Sequence, residues 1–333
     1  MLRLMKIPNN PRYNYVMQKA YAFIIENGIT SFPVNPHKII KTNRWGIETY
    51  SNLAIKFECS HSKIASNFKS TDGITIYDGS NYTIAYNDKV QYPKRIPFTL
   101  MHEIGHIYLG HLKDFETVNM RQSELTKDEY KVLEDEANSF ARNILSPAPI
   151  YNALKYKGLK TVSAMFGITH SAGKTRSNLL PSDIDIVKEV NLFDDFLNRF
   201  SEFMHSRYCC KCKNYFYIPN SSYCPICGNS NLIWKKGEEI LIYNSNKLKK
   251  CLICENEEID DNANFCKICG TSMDEQPNRC DFFLCDAILD NNARYCPYCG
   301  KKSIYYENNC LDSYELEKGI KQLEREHKKL TNN

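Results

Sequence analysis

His102 and His106 stand four residues apart with Glu103 directly after the first, in the order His-Glu-x-x-His. On a helix this separation puts both imidazoles on one face, within reach of a single Zn²⁺. Glu103, about 100° further round the helix, is placed to take a proton from a metal-activated water without itself becoming a ligand. Hydrolysis of a carbonyl by such a site needs that order. Zinc brings the pKa of its water to roughly 7, and the carboxylate removes the proton as the oxygen attacks. The plain alternative is two histidines on an ordinary helix. Phe98, Leu100, Met101, Ile104, Ile107 and Leu109 weigh against it, because histidines and a glutamate without a metal are costly to bury in so apolar a segment.

A catalytic zinc takes a third protein ligand and keeps its fourth position open. The extension HExxHxxGxxH does not supply that ligand, since the third and sixth residues after His106 are Leu109 and Leu112. His111 falls on another side and is expected to pack or to contact a ligand from behind. The segment KVLEDEANSFARNILSP offers Glu134, Asp135 and Glu136, with an apolar stripe of Leu133, Ala137, Phe140, Ala141, Ile144 and Leu145. Glu134 lies at the edge of that stripe, in line with Asn138, whereas Glu136 projects about 160° away, an expected solvated charge. Glu134 is therefore the expected third ligand, and Asn138, one turn on, the expected hydrogen-bond partner of a ligating histidine.

The elements that must position these residues are legible in outline. Residues 15–26 have helical apolar spacing and stop at Asn27-Gly28. Residues 73–77 and 82–86 are β-branched and aromatic runs joined by Asp78-Gly79-Ser80-Asn81, a hairpin signature. Pro97 opens a helix that carries FTLMHEIGHIYLGH, and a second helix over 127–145 closes at Ser146-Pro147. Residues 161–180 read as two short helices broken at Gly167, with a helix-turn-helix flavour in which Lys174 and Arg176 are the only obvious phosphate or base readers.

FTLMHEIGHIYLGH followed by LEDEANSFARNILSP resembles the ImmA/IrrE family of zinc endopeptidases. The resemblance extends over residues 12–185 through SFPVNPHKI, YTIAYND and SAMFGITHSAGKTRSNLL. It implies a compact, gluzincin-like domain with His102, His106 and Glu134 as zinc ligands and Glu103 as general base. It also implies protein substrates, often DNA-binding repressors of mobile elements or stress regulons. No motif fixes the residue that stabilises the transition state.

Of the 15 cysteines, only Cys59 precedes residue 200. Twelve of the other 14 form three pairs of pairs: Cys209, Cys212 with Cys224, Cys227; Cys251, Cys254 with Cys266, Cys269; and Cys280, Cys285 with Cys296, Cys299. Cys210 and Cys310 are left over. Gly228, Gly270 and Gly300 directly follow the second pairs, where a left-handed residue is wanted. Four thiolates close a tetrahedron, so these sites are expected to be structural, with zinc supplying on the order of 10–16 kcal/mol of folding energy. The third set departs from the x2 spacing, so two to three structural zincs accompany the catalytic one.

The fold class expected is α+β: a compact zincin-like peptidase domain of helices and a small sheet, followed by small four-cysteine zinc-ribbon modules. The domains are peptidase 1–185, connecting helix 186–206, ribbons 207–240, 248–273 and 278–304, and a charged tail helix 311–333. A net charge of +4 is too small to imply wholesale nucleic-acid binding, and local patches have to be judged one at a time. The first ribbon is basic (Arg207, Lys211, Lys213, Lys235, Lys236, Lys247, Lys249, Lys250) with interleaved aromatics, a weak nucleic-acid signal. The later ribbons are acidic (Glu255, Glu257, Glu258, Asp260, Asp261, Asp281, Asp286, Asp290) and would repel phosphates. No run of ~18 apolar residues and no signal-peptide core are present, so a cytoplasmic protein without membrane partners is expected. The reading is a zinc endopeptidase acting on a protein substrate, such as a transcriptional repressor, with the ribbons as an interaction or sensing module. Its rival is a non-catalytic binding protein or regulator on a vestigial peptidase fold.

Overall fold

The computed structural model describes residues 6–113, 125–235, 251–258, 265–271, 277–285 and 287–331. Lys236, Lys247, Lys249 and Lys250 of the basic set, and Asp260, Asp261 and Asp286 of the acidic set, lie outside the described residues. The chain divides into two units, Met1–Met204 and His205–Asn333.

The first unit opens with α1 (Tyr13–Glu26), α2 (Pro36–Thr42), β1 (Gly46–Thr49), α3 (Tyr50–Lys56) and α4 (His61–Phe68). The expected hairpin is β2 (Gly73–Tyr77) and β3 (Tyr82–Tyr86), turned by Asp78, whose Oδ1 accepts the N–H groups of Ser80 and Asn81 at 2.9 and 2.7 Å. β1, too short and mixed to be legible in advance, pairs parallel to β3, giving the order β1-β3-β2. Next come α5 (Ile96–Tyr108), with Pro97 in its first turn, and α6 (Lys127–Leu145), whose start is fixed by a Thr126–Glu129 capping box.

The unit closes with α7 (Ala148–Leu154), α8 (Leu159–Phe166), α9 (His170–Glu189), α10 (Phe193–Arg199) and α11 (Ser201–His205). α9 runs through Pro181, beyond the stop at Leu180 that the sequence suggests, because the next turn is anchored: Asp183 accepts Arg142 Nε at 2.8 Å and also pairs with Arg176. The expected connecting helix is two helices packed into this unit, with Phe196, Phe200 and Phe203 buried and the Phe32 ring 4.7 Å from that of Phe200. Phe23, Leu100, Met101, Ile104, Phe140 and Ile144 form the centre of the core, all fully buried, so α5 and α6 are held by the packing of α1 and the sheet around them.

In the second unit β4 (Arg207–Cys209), β5 (Tyr215–Phe216) and β6 (Leu232–Ile233) pair in the order β5-β4-β6 around the first cysteine set. α12 (Ile304–Glu307) follows the third set, and α13 (Tyr314–Thr331) is the expected tail helix. α13 is anchored at its start: Tyr314 is buried with its hydroxyl donating to Cys212 O at 2.9 Å. Cys310 is buried beside Tyr305 and Leu311, Cys210 is half-buried, and Cys59 packs half-buried on a cluster around Tyr50. No helix among the described residues is long and apolar enough to cross a membrane.

Candidate metal centre

α5 and α6 cross at Gly105. A Cβ there would lie 3.2 Å from Phe140 Cδ1 and 3.3 Å from Ala137 Cα, so the absence of a side chain is what lets the helices approach this closely. The approach brings His102, His106 and Glu134 together. The two Nε2 atoms are 3.0 Å apart, and each lies 3.4 Å from an oxygen of Glu134. A tetrahedron with bonds of ~2.0–2.1 Å has an edge of about 3.3–3.4 Å, so the three donors fit three corners of a zinc site.

The far nitrogens of both rings are occupied. His102 Nδ1 is 3.0 Å from Asn138 Oδ1, and His106 Nδ1 is 2.9 Å from His111 Nδ1. His111 Nε2 lies 3.1 Å from Glu136 Oε2, and Arg12 grips Glu136 through its backbone N–H, Nε and Nη2 at 2.8–2.9 Å. These contacts set the tautomers. An ionised Glu136 accepts from His111 Nε2–H, and His111 Nδ1 then accepts from His106 Nδ1–H. A bare lone pair is left on His106 Nε2, aimed at His102 and Glu134. Asn138 Oδ1 does the same for His102. Two imidazole lone pairs and a carboxylate facing one another at 3.0–3.4 Å repel unless a metal ion or a proton lies between them.

The charges follow. Burial lowers the pKa of His106 to about 3 against the opposing pull of Glu134, so the ring is neutral and able to donate its lone pair. For His102 burial pulls downward but Glu134, Glu103 and Asn138 outweigh it, and its pKa is raised. Glu134 sits well below the ordinary carboxylate range because the two histidines it faces outweigh its burial. Glu136 behaves likewise: Arg12 and His111 overcome burial and hold it at about 2.

Glu103 stands beside this cluster and not in it. It is nearly buried, and Thr75 Oγ1 on β2 donates to its Oε2 at 2.7 Å. The cluster's exposure falls on Glu134 (23%) and His102 (13%), against 2% for His106.

One sequence expectation about the centre is corrected. Glu136 is not a solvated charge but fully buried, because the side of α6 opposite Glu134 is covered by Arg12 at the entry to α1 and by His111. His111 reaches Glu136 because α5 ends at Tyr108 and Gly110, at φ +77°, reverses the chain so that His111 N–H bonds His106 O at 3.0 Å. Thr75 and Arg12 went unnoticed in the sequence. Thr75 had a signal as the polar residue inside GITIY, and Arg12, 124 positions from Glu136, had none. Arg176 is buried, with its Nε on Ser146 O at 2.8 Å, which removes one of the two cations offered for DNA reading by residues 161–180.

Residues 56–174 match the family model of the IrrE N-terminal-like domain (Peptidase_M78). The IrrE-like match spans α4 to the start of α9 and so contains every donor of the centre and Glu103. A second match, to the double zinc ribbon, covers residues 251–300. Compared with curated proteins, the chain matches none.

The cysteines form three four-thiol clusters in the pairs read from the sequence. Their closest Sγ···Sγ separations are 3.6 Å in the first, 3.5 and 3.7 Å in the second, and 3.4 and 3.7 Å in the third. All are far longer than a disulfide and close to the edge of about 3.8 Å of a tetrahedron with ~2.3 Å Zn–S bonds. The clusters fit structural zinc. Lys213 and Glu255 hold the left-handed position after the first pairs of ribbons one and two, at φ +66° and +60°, where no glycine announced it.

Proposed function

We propose that the first unit is a zinc-dependent endopeptidase. The observation that carries the reading is the convergence of His102 Nε2, His106 Nε2 and the Glu134 carboxylate from two helices at tetrahedral spacing, with Glu103 alongside. Zinc held there would act as a Lewis acid, acidifying water and polarising a peptide carbonyl. Glu103 is the general base. Thr75 donates to its Oε2 and so fixes its orientation. Asn138 and His111 hold the two rings with Nε2 forward, and the solvent-facing side at Glu134 and His102 is where a peptide enters. The Phe98 ring, 40% exposed and 6.5 Å from the His102 ring, is placed to line that approach.

The substrate class is a protein, of which a DNA-binding repressor is the leading instance on the family resemblance, and the ribbons recruit partners or sense conditions. The test is Glu103→Gln. The isosteric amide cannot accept the proton, so cleavage should fall by at least ~10²-fold. Four zincs per chain should be retained, one at the IrrE-like centre and one in each four-cysteine cluster. Mass spectrometry of new protein termini in cells expressing either form would identify the substrate. Equal cleavage by both forms would refute the role given to Glu103.

A further inference from the structure

The second knuckles of the three ribbons share one local structure. In each, the first cysteine's N–H bonds the carbonyl five residues on, to Asn229, Thr271 and Lys301, and the glycine N–H returns to that cysteine's carbonyl. Gly228, Gly270 and Gly300 all lie at φ +68° to +76°. Two of these knuckles are paired with each other. Ser222 and Tyr223 N–H both donate to Pro297 O at 2.8 and 3.0 Å, and Arg294 and Tyr295 N–H both donate to Pro225 O at 2.9 and 3.0 Å. The rings are exchanged as well. Tyr295 lies 3.0 Å from the place of a Cβ on Gly228, and Tyr223 lies 2.8 Å from the place of one on Gly300. Ribbons one and three thus meet through a pseudo-two-fold contact in which each knuckle offers an aromatic ring, a pair of N–H donors, a carbonyl and a glycine seat. Pro225 and Pro297 are buried by it.

Among the described residues the second ribbon repeats the ring, the carbonyl position and the glycine seat. Phe265 stands where Tyr223 and Tyr295 stand, and Gly270 where Gly228 and Gly300 stand. The approach to it, DDNANFC, nearly repeats the DNNARYC that leads into the third ribbon's knuckle. Yet Phe265 is 62% exposed, Ile268 66%, and among the described residues nothing comes within 4 Å of a Cβ placed on Gly270. The ribbon is held from its other knuckle, where Leu252 packs on the cluster of Tyr305, Cys310 and Leu311.

We propose that this knuckle is a homodimer contact: two copies of the chain pair through their second ribbons as ribbons one and three pair within one chain. A contact between like knuckles about a two-fold axis is isologous, so each copy's Phe265 covers the other's Gly270 and the interface closes at two. Lys267, at the place of Pro225 and Pro297, brings no uncompensated charge, because it is bound to Glu258 of its own ribbon at 2.8 Å. One knuckle pairing is small beside the ~1,200 Å² of stable complexes, so the association is weak and reversible. It does not rest on the peptidase reading.

The experiment is sedimentation equilibrium of the full-length, zinc-loaded chain from about 1 to 200 μM. The weight-average mass should rise from 38.7 kDa toward twice that value. Phe265→Asp should stay monomeric throughout with its zinc content unchanged, and Phe265→Tyr, which restores the ring found in the other ribbons, should dimerise at least as well as the parent. Tyr298→Asp, a change at a comparably exposed ring on the third ribbon, should leave the dimer intact. A parent chain that stays monomeric, whether or not it captures a separate zinc-ribbon peptide, overturns the proposal. So does a dimer that persists in Phe265→Asp, a monomeric Phe265→Tyr, or equal disruption by Tyr298→Asp.

Discussion

Glu136→Gln is the most informative perturbation of the centre, because it keeps the volume of the side chain and removes only what the carboxylate does. Glu136 accepts four hydrogen bonds: Arg12 N–H and Nε–H on Oε1, and Arg12 Nη2–H and His111 Nε2–H on Oε2. An amide must put its NH₂ at one of these positions. At Oε1 it opposes two arginine donors inside a fully buried site. At Oε2 it opposes Arg12 Nη2 and His111 Nε2–H, which is relieved on the histidine side only if His111 moves its proton to Nδ1. His106 must then carry its own proton on Nε2, where a metal would bind. Loss of a partner that orients a ligating histidine lowers metal affinity by about 10–100-fold, or ~1.4–2.7 kcal/mol. The fold loses stability too, toward the lower end of the ~3–5 kcal/mol expected for breaking a buried pair, because the Arg12 side chain is 30% exposed and regains some solvation. The assay is competition for zinc or cobalt against a chromophoric chelator, in which the nitrogen–oxygen site and the thiolate sites have distinct cobalt spectra. Parental affinity at the nitrogen–oxygen site in a folded Glu136→Gln protein would refute the tautomer argument.

Other consequences are sharper in one observable each. Gly105→Ala forces a methyl to within 3.3 Å of the Ala137 backbone, so α5 and α6 must separate by a few tenths of an ångström. A stability loss of ~1–3 kcal/mol in urea unfolding, with weaker zinc binding at the nitrogen–oxygen site, is expected. Asp183 is held below its ordinary pKa because Arg142 and Arg176 outweigh its burial. Its contribution is therefore complete above the unfolded value of ~3.9 and is lost as pH falls toward the folded one. The acid limb of the stability profile should be shallower in Asp183→Asn, which should also be less stable at neutral pH because Arg176 is left buried without its partner. Chelation should unfold the ribbons, whose clusters are built of cysteines and few apolar residues, while the first unit keeps its own core. Limited proteolysis of the metal-free chain should then leave a fragment ending near residue 204.

Much of this arrangement was legible in local pattern. The hairpin, α5 and α6 followed from β-branched alternation, Pro97 and the Ser146-Pro147 stop, each a signal confined to a few residues. Glu134 could be picked over its neighbours because helical geometry alone puts it in line with Asn138 and the apolar stripe. Less legible was whatever depends on elements distant in sequence. The parallel pairing of β1 with β3, the burial of Phe196 and Phe200 against α1 and the Ile29–Phe32 segment, and the grip of Arg12 on Glu136 are all long-range contacts without local signature. The error over Glu136 has the same origin. A helical wheel gives the angle between two side chains but not what lies opposite each, and α6 is covered on both sides.

That double coverage explains why three polar residues at alternate positions of one helix all serve the same centre. Glu134 faces the histidines directly. Asn138, one turn on, stays on that face and backs His102. Glu136 points the other way and could not reach either ring on its own. It acts on His106 only because Gly110 folds His111 back beneath α5, making one imidazole the bridge between the far side of α6 and His106. Each histidine is thus oriented from behind by a residue of the helix that also supplies the third donor. The geometry of the centre then depends on one helix–helix distance, the Gly105–Ala137 approach, and on the chain reversal after α5. The HExxH pattern specifies neither of these, so helices bearing the same five residues need not form the same centre.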